Sequence, residues 1–212
     1  MDLDSVKIYS RRMAKYHHGD LPAALRSATA ELIAENGPSG FSLREVARRA
    51  GVSHAAPAHH FGDAEGLLTS VAAEGFARLA DAGEEAGDHV DEAVERLRRI
   101  GASYVRVARE NPGHFAVMIQ SDLVCSDDPI LLEHSLRAYV ALQRAIELVR
   151  HQLNPELDVE VAATFCWASI QGLVSLSPKL DDVAADTGTK TTPLDALIDE
   201  FARIMVEGMA AR

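Results

Sequence analysis

The chain has 212 residues, 47% of them apolar, enough for one large domain or two small ones with a sizeable core. Its net charge of −11 argues against a general nucleic-acid coat protein. The charge is uneven: residues 1–61 balance at +2 and hold five of the nine histidines, and the remainder balances at −13. That asymmetry fits a small DNA reader on an acidic body, although acidic surface on the body serves solubility without further purpose. The two cysteines, Cys125 and Cys166, form no CxxC, so reduced thiols in a cytoplasmic protein are expected. No apolar run reaches the ~20 residues of a membrane helix, and the N-terminus has no apolar segment behind its charges, unlike a secretory signal.

In chain order, residues 1–19 read as a flexible arm. A first helix begins near Leu21, capped by Asp20 with Pro22 in its first turn. Ala24, Leu25, Ala28, Leu32 and Ile33 form its inward stripe, and Asn36-Gly37-Pro38 stops it. A second helix covers 42–50. Ser42 caps it, Glu45 completes a capping box, and Leu43, Val46, Ala47 and Ala50 share one face. Gly51 ends it where a positive φ is cheap, and Ser53 caps a third helix over 54–60. Two short helices around a tight turn form a helix-turn-helix, whose second helix can enter the DNA major groove.

Asp63 caps a fourth helix that runs to about 86, followed by a break rich in glycine and acid at 83–88. Helical spacing resumes over 90–110 and ends at Asn111-Pro112-Gly113. A short helix spans 114–120, a longer one follows Pro129 to about 153, and Asn154-Pro155 precedes a strongly apolar helix at 156–176. Residues 177–192 read as an exposed polar loop, and 193–209 as a closing helix. No segment alternates as a strand does. The reading is all-α, about nine helices: an arm at 1–19, a helix-turn-helix domain at 20–66, and a bundle at 67–212.

The run YHHGDLPAALRSATAELIAENGPSGFSLREVARRAGVS followed by HHFGDAEGLL resembles the N-terminal domain of the TetR/AcrR-type transcriptional regulators, over residues 16–71. WASIQGL at 167–173 is similar to the Trp-His-Gly C-terminal variant of that family, with Gln171 where histidine is usual. The resemblance implies a cytoplasmic homodimer that binds near-palindromic double-stranded DNA, most often as a repressor, and senses a small, mainly apolar effector in its bundle. It implies no catalysis and no cofactor.

The motif and the resemblance together point to particular side chains. Arg44, in the first turn of the second helix, is the favoured phosphate partner, with Arg48 and Arg49 as further candidates. Ser53 can meet phosphate or act as a cap. His54, Ala55 and His59 face the bases, where imidazole and methyl groups read edges, and His60 meets backbone. Two phosphate contacts usual in the family are missing, since Ala58 stands for tyrosine and Ala64 for lysine. These keep open an alternative reading, a degenerate member acting as a protein-interaction module.

For the effector, the resemblance points to Tyr104, His114, Phe115, Met118, Tyr139, Trp167 and Gln171. For the dimer it points to Phe165, Leu173, Leu197, Phe201 and Ile204. Adjacent histidine pairs (His17-His18, His59-His60) do not converge on one helix face, so no metal site is expected. No phosphate loop or nucleophile elbow appears, and Asp127-Asp128 and Asp181-Asp182 fall in expected turns.

Overall fold

The computed structural model describes residues 20–188, 190 and 192–210, and the N-terminal arm with its lysines and the His17-His18 pair lie outside them. Nine α-helices and three short 3-10 turns make up the described chain, with no strand among the described residues. The first three helices are α1 (Leu21–Asn36), α2 (Leu43–Ala50) and α3 (Ala56–Phe61). Asp20 caps α1, its Oδ1 accepting from the Ala23 N–H at 3.0 Å. Leu25, Ala28, Leu32, Val46, Ala50 and Leu67 close the small core between them. Leu67 is the reader's tie to α4 (Ala64–Gly87), which Asp63 caps at 2.8 Å through the Gly66 N–H.

The body follows as α5 (Ala93–Glu110), α6 (Pro112–Met118), α7 (Pro129–Val149), α8 (Val159–Thr187) and α9 (Leu194–Met209). α4 runs along both α5 and α7. α6 wedges between the reader and the body. Its first turn is so close to α1 that a Cβ on Gly113 would sit 1.9 Å from the Ala30 carbonyl oxygen. A Cβ on Gly75 of α4 would meet the Met118 sulfur at 2.4 Å. Cys125 is exposed and Cys166 half-buried, and both are free thiols.

Several local expectations are corrected. The 83–88 break is absent, because α4 continues to Gly87. Its last turns are held by Arg137 of α7, which bonds Glu84 at 2.7 Å and also Asp81. The capping box of the second helix is only half made. Ser42 Oγ accepts from the Glu45 N–H at 3.3 Å, but the Glu45 carboxylate turns to Arg48 at 2.6 Å. α3 starts two residues late and Ser53 does not cap it: Ala55 is the capping position, with no side-chain bond. Pro57 dictates this, because a residue without an N–H fits only the first turn. Pro112 likewise opens α6 rather than closing α5, and Asn111 caps the end of one and the start of the other.

α8 is the largest departure. It extends through the expected loop to Thr187 and carries Asp181 and Asp182 inside a helix. Proline 178 has no N–H for the Val174 carbonyl, and the Ser177 hydroxyl donates to that oxygen instead at 3.2 Å. Against expectation, Val159–Ser177 is also long and apolar enough, by length and composition, to cross a membrane. The cause is that α8 is apolar on two sides at once. Ala162, Ala163 and Cys166 pack inward, whereas Val161 and Phe165 remain 65% and 59% exposed.

The two glycine environments predict opposite outcomes. Gly113→Ala must displace α1 backbone and should cost about 1–3 kcal/mol. Gly83→Ala adds a methyl with nothing within 4 Å; it should be neutral or stabilise by about 0.5–1 kcal/mol as a helix-interior glycine is removed. Urea unfolding of both variants checks this, and equal effects would contradict the close approach of α6 to α1.

Candidate nucleic-acid interface and effector cavity

Helix α2 presents three arginines with different fates. Arg48 is engaged by Glu45, and Arg49 by Glu35 of α1 at 2.8 Å. Arg44 is exposed and has no partner among the described residues. Gly51, with φ at +68°, turns the chain, and the Val52 N–H bonds the Ala47 carbonyl at 3.0 Å. Ser53, His54 and Ala55 lie exposed in the turn before α3 rather than within it. His59 and His60 are exposed on α3, with ring centroids 5.2 Å apart, and Pro57 is buried as their anchor. The structure therefore brings Arg44, the 53–55 turn and the two imidazoles to the surface together. Ala58 and Ala64 are exposed as well, so no side chain replaces the missing tyrosine and lysine there.

Between reader and body lies a charged cluster that the sequence did not single out. Glu74 of α4 accepts from Arg26 of α1 at 2.7 Å and from Arg78 at 2.6 Å. His114 of α6 is buried, with Nε2 3.7 Å from Glu74 and no hydrogen-bond partner. With His114 facing it and the two arginines bonded to it, the Glu74 carboxyl is held well below the usual carboxylate range. Arg26 and Glu74 stand 48 residues apart, a separation that no local spacing reports.

The body encloses a cavity of about 90 Å³ among α4, α5, α7, α8 and α9, with no charged side chain in its lining. Tyr104, Tyr139 and Trp167 line it, and so does Phe201. Burial pushes the Tyr104 hydroxyl up to about 12, with a hydrogen bond from Trp167 acting against it. Burial also pushes the Cys166 thiol to about 12, which leaves it inert as a nucleophile. The Tyr139 hydroxyl is tied to Thr164 at 2.9 Å.

The other expected effector residues stand outside this lining. Phe115 packs edge-on against Tyr104, with centroids 5.8 Å apart; Met118 fills the space at Gly75; His114 faces Glu74; and Gln171 of α8 is half-buried. Of the expected dimer residues, Phe165 and Ile204 are exposed, Leu173 and Leu197 are half-buried, and Phe201 belongs to the cavity wall. Residues missed from sequence include Gly83, Gly101 and Ser103. Their signal was small side chains in helix interiors, where space has to be left.

Glu74 carries a pH dependence with a defined sign. A carboxyl depressed in the folded state contributes stability above its ordinary value of 4.5 and loses it as pH falls toward the folded value. The stability difference between wild type and Glu74→Gln should be full above about pH 5 and close steadily below it. A difference that stays constant on acidification, measured by urea unfolding, would contradict the cluster.

Comparison with known proteins agrees with this architecture. Residues 25–71 match the family described as bacterial regulatory proteins, tetR family, and residues 97–205 match the tetracyclin repressor-like C-terminal domain. The HTH-type transcriptional repressor AcnR of Corynebacterium glutamicum is 27% identical over 207 residues, covering 90% of this chain and 94% of that protein. The HTH-type transcriptional repressor Rv3405c of Mycobacterium tuberculosis is 29% identical over 202 residues, covering 95% and 93%. Among solved structures, a protein of unknown function from Rhodococcus sp. RHA1 superposes with a TM-score of 0.75 at 28% identity, over 92% of this chain and 98% of that one. FadR of Bacillus subtilis in complex with stearoyl-CoA shares the fold, with a TM-score of 0.70 at 20% identity, over 88% and 98%. The second family match alone spans half of the sequence, and the chain belongs to the TetR family of helix-turn-helix transcriptional regulators.

Proposed function

We propose that the protein is a homodimeric repressor that binds a near-palindromic site in double-stranded DNA and leaves it when a small, mainly apolar effector occupies the body cavity. The observation that carries this reading is the course of α4. Its first turns close the reader core through Leu67, and its later turns wall the cavity through Leu79 and Gly83. One continuous helix thus borders both sites. An occupant that shifts α4 changes the spacing of two readers in a dimer, which is a coupling between distinct sites. The repressor names of AcnR and Rv3405c support the direction of control.

The cavity supports an apolar guest, because its lining offers hydroxyls and a thiol but no charge. At about 90 Å³ it is smaller than the ~150 Å³ known to admit benzene. A larger guest has to part the helices to enter.

The outer face of α8 and α9 supports the homodimer. Val161, Phe165 and Ile204 are more than half exposed in the single chain, and pairing two such faces as a four-helix seam would bury them.

In DNA binding, Arg44→Ala should weaken affinity by roughly 1–3 kcal/mol across sequences and flatten the salt slope by about one ion. Arg48→Ala should cost less, because Glu45 already neutralises that guanidinium. Electrophoretic shifts of the upstream DNA of the gene at several salt concentrations test both. A protein that shifts no duplex would favour the interaction-module reading, to which the exposed Ala58 and Ala64 point. For assembly, Phe165→Asp with Ile204→Asp should convert the dimer to monomer in sedimentation velocity, because an unpaired charge would be buried in the seam. An unchanged dimer would move the interface off this face.

A further inference from the structure

The body is acidic, yet α5 carries a cluster of arginines beside the cavity. A cleft between α4 and α5 is lined by Ala86, Arg98, Arg99, Ala102, Ser103 and Arg106. Ser103 lines this cleft and the apolar cavity alike. Its side chain is small and buried, and its hydroxyl is spent on the Ile100 carbonyl at 2.8 Å. Gly83 of α4, with open space where a Cβ would be, borders the cavity one turn from Ala86. Only small side chains therefore separate the apolar space from the guanidinium groups.

The charges around the cleft leave a cation over. Arg98 and Arg99 share Glu95, each at 2.6 Å, and Arg98 also stands 3.7 Å from Asp199 of α9. The hydrogen bonds from Arg98 and Arg99 hold the Glu95 carboxyl down to about 2, so it stays ionised near neutrality. Arg106 is exposed and has no partner among the described residues. Guanidinium groups pair with carboxylate and phosphate oxygens in bidentate geometry, and an unpaired one beside two others is an anion-receiving arrangement.

From this juxtaposition we propose that the effector is an amphipathic anion, with its apolar part in the cavity and a carboxylate or phosphate head on Arg98, Arg99 and Arg106. The inference rests on the effector-released reading above and narrows it, because the cavity alone would select a neutral molecule. The head supplies orientation and retention; the tail supplies the wedge that parts the helices.

Three probes with the same eight-carbon tail test it on the full-length protein: nonanoate, octyl phosphate and 1-octanol. Binding is read by the emission of Trp167, the only tryptophan and a cavity residue. At least one anion should bind roughly tenfold or more tighter than 1-octanol, a gap of ~1.4 kcal/mol, and the gap should narrow with added salt. Preference between the two anions identifies carboxylate or phosphate as the head. Arg99→Ala with Arg106→Ala should bring the anions to the level of 1-octanol and leave 1-octanol itself unchanged. Arg106→Lys, which keeps the charge, should retain part of the gap.

Equal binding of all three probes, anion binding that survives the double variant, or no response to any probe overturns the proposal. Because the readout needs no DNA, such a failure is separate from a failure of the repressor reading, which the shift of ligand-free protein on duplex decides.

Discussion

The contact on which the rest of the molecule depends is the seat of α6 between α1 and α4. Two glycines make it possible. Gly113 lets the first turn of α6 lie on the backbone of α1, and Gly75 lets α4 receive Met118 and the base of His114. Around this close contact Glu74 gathers Arg26 and Arg78. Packed backbone transmits displacement because it has no slack. Charged hydrogen bonds add direction, because they weaken steeply when bent far from linear. Reader and body are thus joined by a short stiff joint rather than by a linker.

The same logic explains what α4 is for. Its N-terminal turns carry Leu67 into the reader core, its middle carries Glu74 and Gly75 into the joint, and its end carries Gly83 to the cavity and Ala86 to the arginine cleft. A helix of 24 residues interrupted by glycines is not intrinsically strong. It is held at its far end by Arg137 of α7, whose guanidinium reaches Asp81 and Glu84. Stability in this helix comes from its neighbours, which is what allows a change among the neighbours to move it.

Charge is distributed by position rather than by total. On α2, Arg48 pairs with Glu45 and Arg49 with Glu35 of α1, whereas Arg44 has no partner among the described residues. α5 repeats the arrangement, with Glu95 bracing Arg98 and Arg99 while Arg106 has no partner among the described residues. In both places the bracing acids fix side-chain geometry and keep the local field modest beside a guanidinium that has no partner among the described residues.

The order of the helices, the helix-turn-helix and the caps at Asp20, Ser42 and Asp63 were legible in the sequence, because each rests on residues within one turn of one another. What sequence could not decide is which side of an apolar helix faces inward. The chain of α8 is apolar on two faces, and only packing against α7 and α9 assigned Cys166 and Trp167 to the cavity and Phe165 to the outside. The same ambiguity moved Phe201 from the expected dimer seam to the cavity wall, Met118 from the cavity to the joint, and Phe115 from the cavity lining to a place against Tyr104. Glycine was misread for a related reason. At Gly83 it looked like a helix break, yet the missing side chain leaves room beside the cavity. Local chemistry determined the elements, because capping and periodicity act over a few residues. The joint at Glu74, the cavity and its arginine cleft were decided by tertiary structure, because they join groups from different helices that no short-range spacing relates.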